Sequence, residues 1–339
     1  GGGNLSSEDS LFCQRCFRKY GFVGSLPLLL LQDSDWERTT TEIEGEVELA
    51  EELPVSEHIK RNRFETARTR RFLDTLNVQR GARVLDIGGS SGIGAYLFRE
   101  YEAEVFIIDI VPELLFIAGK VLEGKLDHSL SVASMEWLPF LNDSFDIVFC
   151  RQAFHHSITP HNALREMFRV TREGGQILLV SEPCLPAFYK IRARLFDRPT
   201  DSEKSKSSEI LKKLPDHLFA FTWNQYHKAL SAFSNDYAIT RQVGSAAMIA
   251  TEDGLRYNPF QIQRSLLGKM TDTFLPRGMG YRGDINIRAT KDRVINREQP
   301  VPDFLPADPS DFRITPHSIE QVEEQRRVFE QFFVDLPLL

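Results

Sequence analysis

Cysteine is scarce: there are four residues in 339, namely Cys13, Cys16, Cys150 and Cys184. That is too few for a disulfide framework and makes a reducing, cytoplasmic setting the expectation. Long apolar runs are missing as well. The longest candidate, Leu26 to Leu31, is broken by Pro27 and falls far short of the roughly 20 residues that a membrane span needs. No secretory signal pattern opens the chain, and Gly1-Gly2-Gly3 reads as a tag remnant or a truncated start. Positive charge is not in excess: 41 Lys and Arg stand against 48 Asp and Glu, a formal net charge of −7. This balance argues against a nucleic-acid partner. What remains is ordinary globular composition, long enough for one large domain with additions or for two domains.

The charge is unevenly spread. Residues 1–60 carry 5 basic and 12 acidic side chains, and residues 294–339 carry 4 and 9. Residues 183–293 carry 18 basic and 11 acidic ones, so a basic segment lies between acidic ends. Either the ends dock on it and the charges are merely solvated, or it receives an acidic substrate. Arg192, Arg194 and Arg198 are its candidate contacts, with Arg194 and Arg198 on one helix face.

Periodicity predicts the organisation. Residues 1–56 read as a small β module with Cys13-x-x-Cys16, followed by an acidic linker. A helix is predicted from Glu57 to Asn77, with Arg61, Arg63, Arg68, Arg70 and Arg71 forming a basic face. Strands and helices then alternate. The strands are Val84–Ile87, Glu104–Ile110, Ser129–Ala133, Phe145–Cys150 and Gln176–Ser181, and a helix over Pro160–Thr171 is expected to close at Gly174-Gly175. Late strands follow at Tyr237–Val243 and Asp284–Ala289, and a terminal helix at 317–335. This alternation predicts an α/β fold with a doubly wound, mostly parallel sheet. The helical stretch of about 184–235 is expected to cap it within a domain of 57–293, with 294–339 as a C-terminal extension.

The chemistry begins where the first strand ends. Val84-Leu85-Asp86-Ile87-Gly88-Gly89-Ser90-Ser91-Gly92-Ile93-Gly94 puts a glycine-rich turn between a strand and a helix, where doubly wound folds hold nucleotide-like ligands. The dinucleotide spacing Gly-x-Gly-x-x-Gly fails in both frames: from Gly88 it meets Ser90, and from Gly92 it meets Leu97. A P-loop is excluded because no Gly-Lys-Ser/Thr follows. Asp109 ends the second strand, and a carboxylate there can accept hydrogens from both ribose hydroxyls.

The stretch 84–182 resembles the class I S-adenosylmethionine-dependent methyltransferases, in particular the ubiquinone/menaquinone-biosynthesis-like (type 11) group. The resemblance is carried by Val84 to Gly92, Ile108-Asp109-Ile110, Glu136-Trp137-Leu138-Pro139-Phe140 with Asp143-Ser144-Phe145-Asp146, Ala153-Phe154-His155-His156, Glu166 to Val170, Gly174-Gly175 and Glu182-Pro183, in order. It implies a seven-stranded Rossmann-like sheet in the order 3-2-1-4-5-7-6 with the last strand antiparallel, and S-adenosylmethionine as cofactor. It further implies that Asp86, Gly88, Ser90 and Gly92 line the methionine part, that Asp109 holds the ribose, and that Ile110, Ser134 and Met135 surround the adenine. Arg151 and Gln152 would sit by the sulfonium. Ser90 and Ser134 depart from the family's usual glycine and acidic residue.

Methyl transfer is an in-line displacement that depends on alignment, helped by a base when the acceptor is a hydroxyl. His155 and His156 are candidate bases, and so are His217, Tyr226 and His227 in the expected cap. Glu182 faces the same crevice, though many such acids only cap a loop. The segment Phe12 to Leu31, with Cys13 and Cys16, resembles the second half of the small zinc-ribbon-like modules that precede some bacterial methyltransferases. The partner Cys-x-x-Cys is absent here, so either it lies upstream or the ribbon has lost its metal, and no metal is expected beyond this zinc half-site. The reading is O-methylation of a small-molecule, glycan or lipid-precursor acceptor, acidic or carrier-bound, with oligomerisation left open. The rivals are a catalytically silent methyltransferase-like binding subunit and an RNA-base methyltransferase.

Overall fold

A computed structural model of the protein describes residues 5–6, 11–13, 19–30, 66–90, 92–122, 130–157, 160–185, 221–241, 248–251, 254–257 and 283–295. The linker, Cys16, His217, Arg192, Arg194, Arg198 and the terminal helix expected from the sequence lie outside these residues.

Strands β1 (Leu5–Ser6), β2 (Leu11–Cys13) and β3 (Lys19–Tyr20) form a small antiparallel sheet. A hairpin of β4 (Phe22–Val23) and β5 (Leu26–Pro27) follows. The main sheet contains β6 (Arg83–Ile87), β7 (Glu104–Asp109), β8 (Leu130–Val132), β9 (Phe145–Arg151), β10 (Thr171–Leu185), β11 (Phe221–Thr222), β12 (Tyr237–Arg241) and, after the hairpin β13 (Met248–Thr251) and β14 (Gly254–Tyr257), β15 (Gly283–Thr290). Its order is β8-β7-β6-β9-β10-β15-β12, with β11 paired to the end of β10. Numbered along the chain without β11, this is 3-2-1-4-5-7-6. Strands β6 to β10 are mutually parallel, and β15 runs antiparallel to both of its neighbours.

Helices cover both faces. Residues 66–73 are helical (α1), followed by α2 (Ile93–Arg99), α3 (Pro112–Val121), α4 (Pro160–Val170) and α5 (Trp223–Ser231). Proline occupies the first position of α3 and α4, where its missing N–H costs nothing. Alternate residues of each strand face opposite sides. Val84, Ile147, Phe149, Leu178 and Val180 pack with Leu97 and Phe98 of α2 and Leu115 of α3. Leu85, Ile87, Val148, Ile177 and Leu179 pack with Leu164, Met167 and Phe168 of α4 and Tyr226 and Leu230 of α5. The second helical face opens with a capping box that the sequence reading passed over: Thr222 Oγ1 accepts the Gln225 N–H while Gln225 Oε1 accepts the Thr222 N–H.

Several expectations shift. Helix α4 stops at Val170, before Gly174-Gly175. Thr171 already pairs with Phe145 in β10, and the strand then bulges so that Gln176 pairs with Ile147. Gly174, at φ 72°, serves that bulge, where its N–H meets the Lys291 carbonyl. Cys184 lies inside β10 instead of after the strand. The basic face of α1 is partly spent within the molecule, because Arg70 pairs with Glu100 and Arg68 with Asp284. The N-terminal segment also enters the main core: Leu26 and Leu28 are buried beside Val132, and Leu28 bridges Val132 in parallel. Among the described residues, no helix is long and apolar enough to cross a membrane.

Candidate active site

Parallel pairing brings the carboxyl ends of β6, β7, β9 and β10 to one edge, where an open α/β sheet leaves a crevice. The turn after β6 is built from left-handed residues: Gly88 at φ 63°, Ser90 at 48° and Gly92 at 85°. A side chain at Gly88 would collide with the Ala153 methyl, so the turn lies directly against the segment that follows β9. Ser90 accepts a backbone conformation that costs a non-glycine residue ~1–2 kcal/mol. The Ser90 N–H is held by Asp109 Oδ2 at 2.9 Å.

Asp109 is nearly buried at the end of β7. Its second oxygen accepts the Val111 N–H at 2.9 Å. Each carboxylate oxygen thus meets one backbone N–H, which fixes the orientation of the group at the end of β7. Just beyond β8, the Ala133 N–H meets the Asp109 carbonyl. That bond sets Ser134 and Met135 beside Asp109 and Ile110. The Ser134 hydroxyl accepts the Glu136 N–H at 3.3 Å.

Asp86, in β6, is a strongly perturbed acid. Burial pushes its pKa up to about 7 against the opposing pull of Arg151 and the Ala95 N–H, and Asp109 adds to the rise. Its Oδ2 is buried with no hydrogen-bond partner. Gly94 permits this packing, because a Cβ there would strike that same oxygen. A buried acceptor without a donor is suited to a cationic group.

Arg151 ends β9, and Gln152 follows at φ 52° with its N–H on the Val180 carbonyl. The chain then makes a 3-10 turn, Phe154–His156. Its amides and the His155 ring meet Glu182, and the His155 and His156 rings lie 4.3 Å apart. The structure therefore gathers Asp86, Gly88, Ser90, Gly92, Asp109, Ile110, Ser134, Met135, Arg151 and Gln152 along one edge, with His155 and His156 at its side.

His227 is not gathered there. Its Nδ1 faces the Tyr237 hydroxyl at 3.1 Å, on the edge strand β12, and burial lowers its pKa. Tyr226 is not suited to act as a base either. Its hydroxyl donates to the Pro183 carbonyl, and burial raises its pKa well above the usual phenol range.

Two supporting groups escaped the sequence reading. Glu166 and Arg169 form a buried ion pair on α4, and together they bind the Leu138 N–H and the Leu138 and Phe140 carbonyls of the loop after β8. Their i, i+3 spacing was the available signal. Lys291 is buried and donates to Asp143 Oδ1 at 2.6 Å and to the Thr171 and Arg169 carbonyls at the end of α4. Nothing in its local sequence announces this.

Residues 85–179, which run from β6 into β10 and include the glycine turn, match the family model of a methyltransferase domain. Among particular proteins, the chain is 36% identical over 134 residues to an uncharacterized methyltransferase, YcgJ, of Bacillus subtilis, covering 38% of this chain and 53% of that one. It is 33% identical over 121 residues to the ubiquinone/menaquinone biosynthesis C-methyltransferase UbiE of Bordetella avium, covering 33% and 47%. It is 32% identical over 133 residues to a ubiquinone biosynthesis O-methyltransferase of Xanthomonas oryzae, covering 37% and 56%. The chain thus spans about half the length of the curated relatives it matches. The crystal structure of the Bacillus subtilis YcgJ protein aligns with a TM-score of 0.44 and 23% identity, over 66% of this chain and 97% of that one.

Proposed function

We propose that this chain is an S-adenosylmethionine-dependent methyltransferase acting on a hydroxyl of a small molecule, glycan or lipid precursor. The observation that carries the reading is the pair of buried acids flanking the glycine turn: Asp109, at the end of β7, held by two backbone N–H groups, and Asp86, in β6, with an unfilled buried oxygen. Such a site suits a ligand with a ribose at one end and a cationic amino acid at the other. The ligand supplies a methyl group on a sulfonium, which is already an excellent leaving group.

In this reading Asp109 receives the ribose hydroxyls, while Ile110, Met135 and Ser134 border the adenine. Gly88, Ser90 and Gly92 let the backbone approach the methionine part, and Asp86 takes its cationic end. Arg151 and Gln152 lie toward the reacting centre. Positive charge on residues 183–293 supports an acidic acceptor, or one carried on an acidic group.

Calorimetric titration with S-adenosylhomocysteine tests the reading, and binding to one site per chain is expected. Absence of binding refutes it and restores the silent binding subunit. RNA binding that falls steeply with salt would instead restore the RNA-base enzyme.

A further inference from the structure

Glu182 has no exposed surface. Its Oε1 accepts the Ala153 and Phe154 N–H groups at 3.0 Å each. Its Oε2 accepts the His155 N–H at 3.1 Å and lies 3.0 Å from His155 Nδ1. A cap for the turn would need only the backbone bonds. The ring contact is additional, and it decides a tautomer: an oxygen already receiving N–H donors acts as acceptor, so Nδ1 must carry the proton. Nε2 then holds the lone pair.

The backbone is shaped to deliver this carboxylate. Leu179 pairs with Ile287 and Glu182 with Ile285, so Val180 and Ser181 share one place opposite Asn286. Ser181 adopts φ 56°, and its N–H is taken by Asn286 Oδ1 at 2.9 Å. A bulge of this kind re-aims the residue that follows it. Left-handed serine persists only where its surroundings over-determine it. The turn that Glu182 holds is also the one packed against Gly88 of the glycine loop.

Resting on the methyltransferase reading above, we propose that Glu182 is a positioning residue that locks His155 as the Nδ1–H tautomer, so that Nε2 accepts the proton of the acceptor hydroxyl. As that proton moves to Nε2, the oxygen's electron pair bonds the methyl carbon and the carbon–sulfur pair returns to sulfur. Water removes the proton from the ring afterwards.

The test uses the full chain, labelled with 15N-histidine and saturated with S-adenosylhomocysteine, with His155→Gln identifying the His155 signals. The expected spectrum of the neutral ring has pyrrole-type Nδ1 and pyridine-type Nε2. In Glu182→Gln the amide oxygen stays with the two N–H groups at the Oε1 position, so its NH2 gives up the His155 N–H and faces the ring. The tautomer is therefore expected to invert, and the carbethoxylation of Nε2 by diethyl pyrocarbonate that is expected of the wild type should be lost. An Nε2–H ring in the wild type overturns the proposal without needing the variant. An unchanged tautomer in a folded Glu182→Gln protein overturns the role of Glu182. Calorimetry on the same samples separates the two readings: binding of S-adenosylhomocysteine with the wrong tautomer sinks only this proposal, whereas no binding sinks the methyltransferase reading and this proposal with it.

Discussion

Replacing Asp109 by asparagine removes one acceptor oxygen from a carboxylate that holds the N–H groups of Ser90 and Val111, each at 2.9 Å. The amide can serve one of these donors and must turn its own NH2 toward the other. A buried donor left without an acceptor costs about 1–3 kcal/mol, more when the lost partner was charged. Ser90 is held in a left-handed conformation by one of these bonds, so part of that loss is offset as the turn relaxes. A destabilisation of about 2 kcal/mol should lower the melting temperature by roughly 4–8 °C for a fold of this size. The ribose end loses a charged acceptor worth about 1.5–3 kcal/mol. Since each ~1.4 kcal/mol is tenfold, the dissociation constant for S-adenosylhomocysteine should rise roughly ten- to a hundredfold. Calorimetry and thermal unfolding of Asp109→Asn measure the two effects separately. A folded variant with unchanged affinity would refute the assignment of Asp109 to the ribose.

Asp86 makes a pH prediction. Its pKa is raised from 3.8 to about 7, so the folded state binds a proton more tightly than the unfolded one. Its contribution to the stability of the ligand-free protein is full below about pH 4 and is lost as pH rises toward 7, which the wild-type minus Asp86→Asn difference in unfolding free energy should trace. A cationic ligand favours the ionised form, so binding near neutral pH should release a proton, detectable in buffers of different ionisation enthalpy and absent in Asp86→Asn. Lys291→Met leaves the Arg169 and Thr171 carbonyls without their donor, while the exposed Asp143 turns to water, and should destabilise the fold by about 1–3 kcal/mol while sparing cofactor contacts; a melting temperature equal to wild type contradicts the buried-lysine account. Arg169→Met removes the cation paired with buried Glu166 and the donor to the Leu138 and Phe140 carbonyls, and a loss of about 3–5 kcal/mol should show in denaturant unfolding. Partial recovery by the companion change Glu166→Leu would assign the recovered part to the unpaired charge and the remainder to the Leu138 and Phe140 backbone groups left unserved.

The alternating core was legible because its strands are short apolar runs between turn residues. Val84 to Ile87 and Phe145 to Cys150 could hardly be placed otherwise, and Gly88 and Asp109 at strand ends marked the crevice. What stayed hidden depends on partners distant in sequence. The extension of β10 back to Thr171 follows from pairing with Phe145 and from the Lys291 backbone, neither of which is local. Glu182 reads as an ordinary loop cap until the Ser181 bulge and Asn286 aim it at His155. His227 sits on a helix that the pattern places in the cap, but only tertiary packing reveals that its ring faces Tyr237. Residues 26–29 looked like part of a separate module because a two-residue strand has no periodicity to read.

That short segment has a consequence for association. Among the described residues, strand β8 is the last strand of the main sheet on its side, and an outer strand offers unpaired backbone groups to any other extended chain. Here the Leu29 N–H occupies the Val132 carbonyl, and Leu28 lies alongside it as a parallel bridge. A single crossing of the N-terminal chain thus acts as a stopper on a three-residue strand, too short to accommodate much besides. Clipping the chain after residue 30 would unseal that flank, turning the sheet into a template for strand-by-strand self-association.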